Sequence, residues 1–343
     1  MQHRRSPSLL LPVLMLSASG ATSNAAEWYV DASRPASGGN GLSWCSAFGG
    51  LQDALVVAEA GDSIRIADGT YVPDRGANQT PGDRASTFRL KSGVGVWGGY
   101  AGCGAVDPDA RDVDLYVSIL SGDLSADDGP GFTNRADNAY HVVTYDDPAA
   151  VNVVIDGFAI QSGHADGTGP LGTITNQGSA IHIRDGSIRC IAGGPTIRHC
   201  VLRDNWSSSH AALNDHGLGT TIESTVFRDN FAGEIGGGLL VFSGPTSVSG
   251  CVFENNVVAG DGGGAWTGHS DDPTCVAPSE PTFTDCTFSG NSARFNGGFT
   301  GRGGGLFNEL NKPTITGCTF LNNDADFQGG GVHSDDTEML LVE

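Results

Sequence analysis

Between Pro195 and Gly331 apolar and polar positions alternate over very short runs, and one such run returns five times. It reads Cys200-Val-Leu-Arg-Asp-Asn205, Thr225-Val-Phe-Arg-Asp-Asn230, Cys251-Val-Phe-Glu-Asn-Asn256, Cys286-Thr-Phe-Ser-Gly-Asn291 and Cys318-Thr-Phe-Leu-Asn-Asn323. Cys and Phe stand two apart, so on a strand they face one side, and that side is the interior. The residues next to Phe are mostly small, β-branched or polar, as an exposed sheet face requires. Successive asparagines are 25, 26, 35 and 32 residues apart, about one turn of a β-solenoid plus variable loops. Stacked turns put Phe227, Phe253, Phe288 and Phe320 in one row. Asn205, Asn230, Asn256, Asn291 and Asn323 form another, where each side-chain amide donates to the next coil.

Glycine triplets at 236–238, 262–264, 303–305 and 329–331 precede the next apolar runs, which begin at Leu239, Ala265, Leu306 and Val332. They permit a turn with φ > 0 and close approach of backbones. Upstream the pattern is less regular. Residues 27–61 read as an entry cap: a strand at Glu27 to Asp31, then Leu51, Ala54, Leu55 and Ala58 on one face of a helix ended by Gly61. A helix there covers the open end of a solenoid, which otherwise exposes apolar interior and unpaired edges. Residues 62–150 give irregular early coils, and residues 151–343 the regular ones. The abrupt stop after Val332-His-Ser-Asp-Asp336 and Met339 to Val342 leads us to expect a reading cut short of its C-terminal end.

Composition narrows the class. With 52 glycines in 343 residues and no G-X-Y period, packed helices and collagen are both excluded. A formal charge of −21 makes nucleic acid and anionic membrane surfaces poor partners. The start reads as a secretory signal over residues 1–26, with His3-Arg4-Arg5, the apolar stretch Leu9 to Leu16, and a small-residue cleavage site near Ala25 or Ala26. No other segment is apolar for long enough to span a membrane. Eight cysteines in an exported chain invite disulfides. Cys45 and Cys103 offer a staple for the N-terminal region, while Cys190 with Cys200 and Cys275 with Cys286 offer local bridges across a turn. The alternative is an inward row of thiols acting as small hydrophobes.

The phrases Trp28-Tyr-Val-Asp31, Leu51-Gln-Asp-Ala-Leu55, Gly61-Asp-Ser-Ile64, Asp68-Gly-Thr-Tyr71, Gly98-Gly-Tyr100, Ile119-Leu-Ser-Gly-Asp123 and Ile155-Asp-Gly-Phe158 resemble exported bacterial right-handed parallel β-helix repeat proteins of the pectin-lyase-like superfamily. The Cys-Thr-Phe-x-x-Asn to Gly-Gly-Gly unit is similar to the chlamydial polymorphic outer membrane protein repeat. The resemblance implies an all-β, single-stranded right-handed parallel β-helix with an N-terminal helical cap. It also implies a place outside the cell or on the outer membrane surface.

The search for chemistry yields only scattered candidates. A lyase on acidic polysaccharide needs carboxylates holding Ca²⁺ and an Arg or Lys base, yet Arg203 and Arg228 are followed in their row by Glu254, Ser289 and Leu321. A hydrolase needs paired carboxylates with a basic group near. Gly268-His-Ser-Asp-Asp272 offers His269, Asp271 and Asp272, and Val332-His-Ser-Asp-Asp336 repeats the phrase. Asp123, Ser125 and Asp127 alternate as in a calcium loop but break its full pattern; they are the candidates for a structural Ca²⁺, and no cofactor is required. The reading adopted is a non-catalytic, adhesin-like or glycan-binding scaffold, with extracellular polysaccharide or a cell-surface protein as partner. Trp266, Phe295 and Phe299 in the repeat inserts are its candidate contacts. A carbohydrate-active lyase or hydrolase on acidic polysaccharide is the alternative, and a structural spacer the third.

Overall fold

The computed structural model describes residues 25–36, 38–146, 152–168, 174–184, 193–216, 219–242, 244–268, 280–295, 297–298, 300, 301–310, 312–335 and 340–342. Residues 1–24 of the expected signal segment, Cys190, Cys275, His269, Asp271, Asp272 and Phe299 lie outside them. Four sheets, each wholly parallel, run along the molecule. One coil shows how: Thr221–Glu223 in the first sheet, Val226–Arg228 in the second, Phe231–Ala232 in the third and Leu239–Phe242 in the fourth, before Ser247–Ser249 opens the next coil. This is a right-handed parallel β-helix. Its hand is the one that right-twisted parallel strands impose on their crossovers.

Three-residue strands work because one residue in three points inward. Ile197, Ile222, Val248 and Phe283 form that row in the first sheet, and Leu202, Phe227, Phe253 and Phe288 in the second, all with no exposed surface. Coil spacing then forces the rings face to face. Centroids of Phe227, Phe253, Phe288 and Phe320 follow at 4.6, 4.5 and 4.8 Å with interplanar angles of 6°, 3° and 6°, the spacing of neighbouring strands.

The corners are locked by side chains. Residues in left-handed conformation turn the chain from the first sheet to the second, namely His199, Ser224, Gly250, Asp285 and Gly317. The next residue points inward and bonds back across the turn: Cys200 to Arg198 O, Thr225 to Glu223 O, Cys251 to Ser249 O, Cys286 to Thr284 O and Cys318 to Thr316 O. Thr225 shows that a hydroxyl does the same work as a thiol. At the second corner the asparagine row forms the expected ladder. Asn230 Nδ2 donates to Leu202 O at 2.9 Å and to Asn256 Oδ1 at 2.9 Å, and Asn256 repeats the pattern to Phe227 O and Asn291 Oδ1 at 2.9 and 3.0 Å.

Two cysteine expectations are corrected. Cys200 and Cys286 are buried free thiols, so neither closes a local bridge with Cys190 or Cys275; their sulfurs are committed to the corner carbonyls instead. Burial pushes the Cys200 thiol up to about 12. The third pairing stands, since Cys45 and Cys103 form a disulfide. The cap is also as read, except that its helix stops at Val57, earlier than Gly61. Leu51, Ala54, Leu55 and Ala58 all face the core. Among the described residues no helix is long and apolar enough to cross a membrane.

Each glycine triplet ends an excursion between the third and fourth sheets. Gly262 has φ +79°, and a Cβ there would meet Trp266 Cβ at 2.9 Å; one on Gly263 would meet Gly304 O at 2.2 Å. The excursion therefore lies directly on the outer side of the fourth sheet. Ala211, Ile235, Leu240, Trp266 and Phe307 form a second apolar cluster beneath it.

Candidate functional site

Of the two His-Ser-Asp-Asp phrases only the second is described, through Asp335. Its His333 pairs with Phe307, which pairs with Trp266, and in the sequence His269 stands three residues after Trp266. Arg302 links Asp261, at 3.0 Å, to Asp335, whose other oxygen faces His333 Nε2 at 2.9 Å. Burial would lower the Arg302 pKa, but the hydrogen bond and charge of Asp261, with Asp335 beside it, carry it above its usual value. Burial would likewise raise Asp335, yet His333 and Arg302 hold it below the ordinary carboxylate range. These shifts keep Arg302 protonated and Asp335 ionised, so neither holds the form that a general base or a general acid needs. Arg203 and Arg228 do lie side by side; Arg203 binds Gln161 at 3.0 Å and Arg228 faces Glu254 at 4.0 Å.

Near the cap, the outer face of the first sheet carries alternating rings and guanidinium groups. Arg65 lies over Tyr29 and Tyr100, Arg111 over Tyr100 and Trp97, and Arg198 over Trp97, at 5.2 to 6.0 Å from the centroids. Each cation is tied to a carboxylate. Arg65 holds Glu27 and Asp109, while Arg111 and Arg198 both hold Asp156, which has 1% of its side chain exposed. Burial would raise the Asp156 pKa; the hydrogen bonds and charges of the two arginines outweigh it and leave it lowered. Arg111 also donates to Gly98 O, so this ladder staples the loop of residues 101–117 onto the sheet.

Of the candidate contact aromatics, Trp266 is placed differently from the sequence reading. Trp266 is only 3% exposed because the glycine excursion covers it, which removes its ring as a contact. Phe295 is 66% exposed and its N–H donates to Asp326. The half-buried aromatic flank lies instead on the third sheet. His164 and Trp206 meet edge to face at 4.8 Å, and Trp206 stacks on Phe231 at 5.7 Å and 11°. These rings occupy the outward position directly after the ladder asparagine, as in Asn205-Trp206 and Asn230-Phe231. That register is the signal in the sequence that marks Trp206 and Phe231.

A long loop, residues 122–139, folds against this flank. Phe132 approaches Phe231 at 6.5 Å and lies over the Arg135 guanidinium at 4.8 Å. The same loop gathers carboxylates. Asp123, Asp127 and Asp137 each bring an oxygen within 4.8 Å of the others, and Asp137 Oδ2 is buried without a hydrogen-bond partner. Asp137 thus joins Asp123 and Asp127 where the sequence offered Ser125. Oxygen donors of this kind suit Ca²⁺. Asp123 also accepts from Asp127 N at 3.2 Å and Asp128 N at 3.1 Å, so the trio shapes the loop that walls the flank.

Comparison with known proteins adds one short sequence match and one distant structure. Residues 285–309 match the Chlamydia polymorphic membrane protein (Chlamydia_PMP) repeat. That segment runs from the corner before Cys286 through Asn291 and the glycine triplet to Glu309, at the end of the fourth-sheet strand. A search of curated proteins gives no match. A solved rhamnogalacturonan lyase structure is similar over 85% of this chain and 74% of its own, with 15% identity and a TM-score of 0.44. By its own sheets, the chain is a right-handed parallel β-helix, and one of its coils matches the chlamydial polymorphic membrane protein repeat.

Proposed function

We propose that this protein is an exported, surface-attached or secreted β-helix that binds extracellular polysaccharide without turning it over. The half-buried stack of His164, Trp206 and Phe231 on a rigid outer face carries this reading. Rings held one coil apart offer successive platforms to the apolar faces of sugar units. The repeat match to a membrane-protein family supports a place at the cell envelope. The ion pairs that engage Asp156, Arg302 and Asp335 support a binding role over a catalytic one. The enzyme reading rests on one cluster, with His333 as its base and Asp335 orienting it.

Purified protein from about Glu27 onward would be run through gels containing neutral or acidic polysaccharides, while unsaturated products and new reducing ends are followed in parallel. Retention without turnover, weakened at least fivefold in Trp206→Ala, is the expected result. Turnover that disappears in His333→Ala would replace this reading with the enzyme. Absence of retention on every polymer would end it.

A further inference from the structure

The pocket beside the aromatic flank carries its own chemistry. It has a volume of about 500 Å³, room for one or two sugar units. Phe132, Arg135, Ser162 and three carboxylates, Asp128, Asp204 and Asp229, line it. Asp204 and Asp229 are the second-corner residues of adjacent coils, in left-handed conformation at φ 53° and 54°. Both are exposed, and among the described residues neither carboxylate has a hydrogen-bond or ion-pair partner. Behind them Arg135, 6% exposed, donates from Nη1 to Asp204 O and faces Asp128 at 3.5 Å. Asn138 Nδ2 donates to Asp128 Oδ2 at 3.0 Å, so this group is held from inside the loop. Phe132 is held over this group at φ +62°, within a loop that also keeps Ala126 and Asn134 left-handed at 58° and 61°. A bulky residue in that region is strained, and such strain gathers at binding sites.

We infer that this pocket takes an uncharged, hydroxyl-rich saccharide and rejects uronates, a conclusion that rests on the polysaccharide-binding reading above. Three carboxylates against one guanidinium repel a carboxylate or sulfate. A sugar hydroxyl both donates and accepts. It donates to Asp204 or Asp229 in a charge-assisted bond. An ammonium group also meets the carboxylates, but the Arg135 guanidinium already lies over Phe132 and repels a second cation there. The Phe132 ring receives the apolar face of the sugar.

The test uses the chain from Glu27 with three probe classes: neutral polymers (galactan, laminarin), uronate polymers (polygalacturonate, alginate) and chitosan. Wild type should be retained by a neutral polymer and pass the uronates freely. Phe132→Ala should weaken neutral retention at least fivefold. The double variant Asp204→Asn, Asp229→Asn should weaken it about tenfold and begin to retain uronate, with an unchanged melting temperature. Amides accept left-handed φ as aspartate does, so that variant keeps the corner. Uronate retention by wild type equal to or above the neutral polymer overturns the inference while leaving polysaccharide binding intact; its loss in Arg198→Gln would move the site to the first-sheet ladder. Retention by chitosan alone, abolished by salt, would replace the sugar with a cationic ligand. No retention by any probe defeats polysaccharide binding itself.

Discussion

Replacing Asn256 by alanine tests the ladder where it is most enclosed. Asn256 has no exposed surface and uses its side chain four times. Its Oδ1 accepts from Asn230 N at 3.3 Å and Asn230 Nδ2 at 2.9 Å; its Nδ2 donates to Phe227 O at 2.9 Å and Asn291 Oδ1 at 3.0 Å. Asn256→Ala leaves the Asn230 N–H without its acceptor, strips one N–H of Asn230 Nδ2 and takes a donor from Phe227 O. Taking about 1–2 kcal/mol for each of these three buried polar groups, the lower part of the usual range, the change costs about 3–6 kcal/mol, a large part of an ordinary domain's stability. Urea unfolding reads this directly: the midpoint should fall by about 1–2 M at a slope of roughly 3 kcal/mol/M. Asn230→Ala should cost a similar amount. Because the two side chains share a bond, the double variant should cost about 1 kcal/mol less than the sum. A midpoint shift below about 0.3 M for Asn256→Ala, with the slope unchanged, would show that water or local rearrangement replaces the ladder and would refute the argument.

Further outcomes follow from the corners, a half-buried histidine and the carboxylate loop. Cys251→Thr should be nearly neutral and Cys251→Ala should cost about 1 kcal/mol, because the corner needs a donor to Ser249 O and Thr225 already serves that role; equal melting points for both would contradict it. Alkylation of the unfolded, unreduced chain should label Cys200 and Cys286 but not Cys45 or Cys103, as mass spectrometry of the peptides will show. His210 is half-buried, with Glu234 facing its Nε2 at 3.6 Å, and desolvation lowers its pKa from 6.5 to about 4. The native state therefore binds fewer protons than the unfolded chain between these values, and stability falls as pH drops from about 6.5 to 4, by up to about 3 kcal/mol. His210→Gln should flatten that part of the melting-temperature profile, and an equally steep profile in the variant would place the sensitivity elsewhere. Ca²⁺ should raise the melting temperature of wild type and leave Asp123→Asn, Asp137→Asn unmoved; no shift in wild type removes the cation from the account of this loop.

Period and side-chain chemistry were enough to derive the coil. Cys-x-Phe spacing dictates an inward row, the returning asparagine dictates a ladder, and neither depends on distant parts of the chain. The amphipathic face of Leu51, Ala54, Leu55 and Ala58 announced the cap for the same local reason. Which outward residues remain open to solvent was not local. Trp266 and Trp206 both stand in repeat coils, yet an excursion buries the first and the second is only half-covered on the flank. Cysteine fates were equally non-local, since a thiol near another in sequence is committed to a carbonyl across its corner. Asp137 joins Asp123 and Asp127 because the loop folds back ten residues beyond the alternating phrase. Sequence period sets what repeats along the axis, but exposure, thiol pairing and carboxylate clusters depend on what lies across it, and only the tertiary structure brings those groups together.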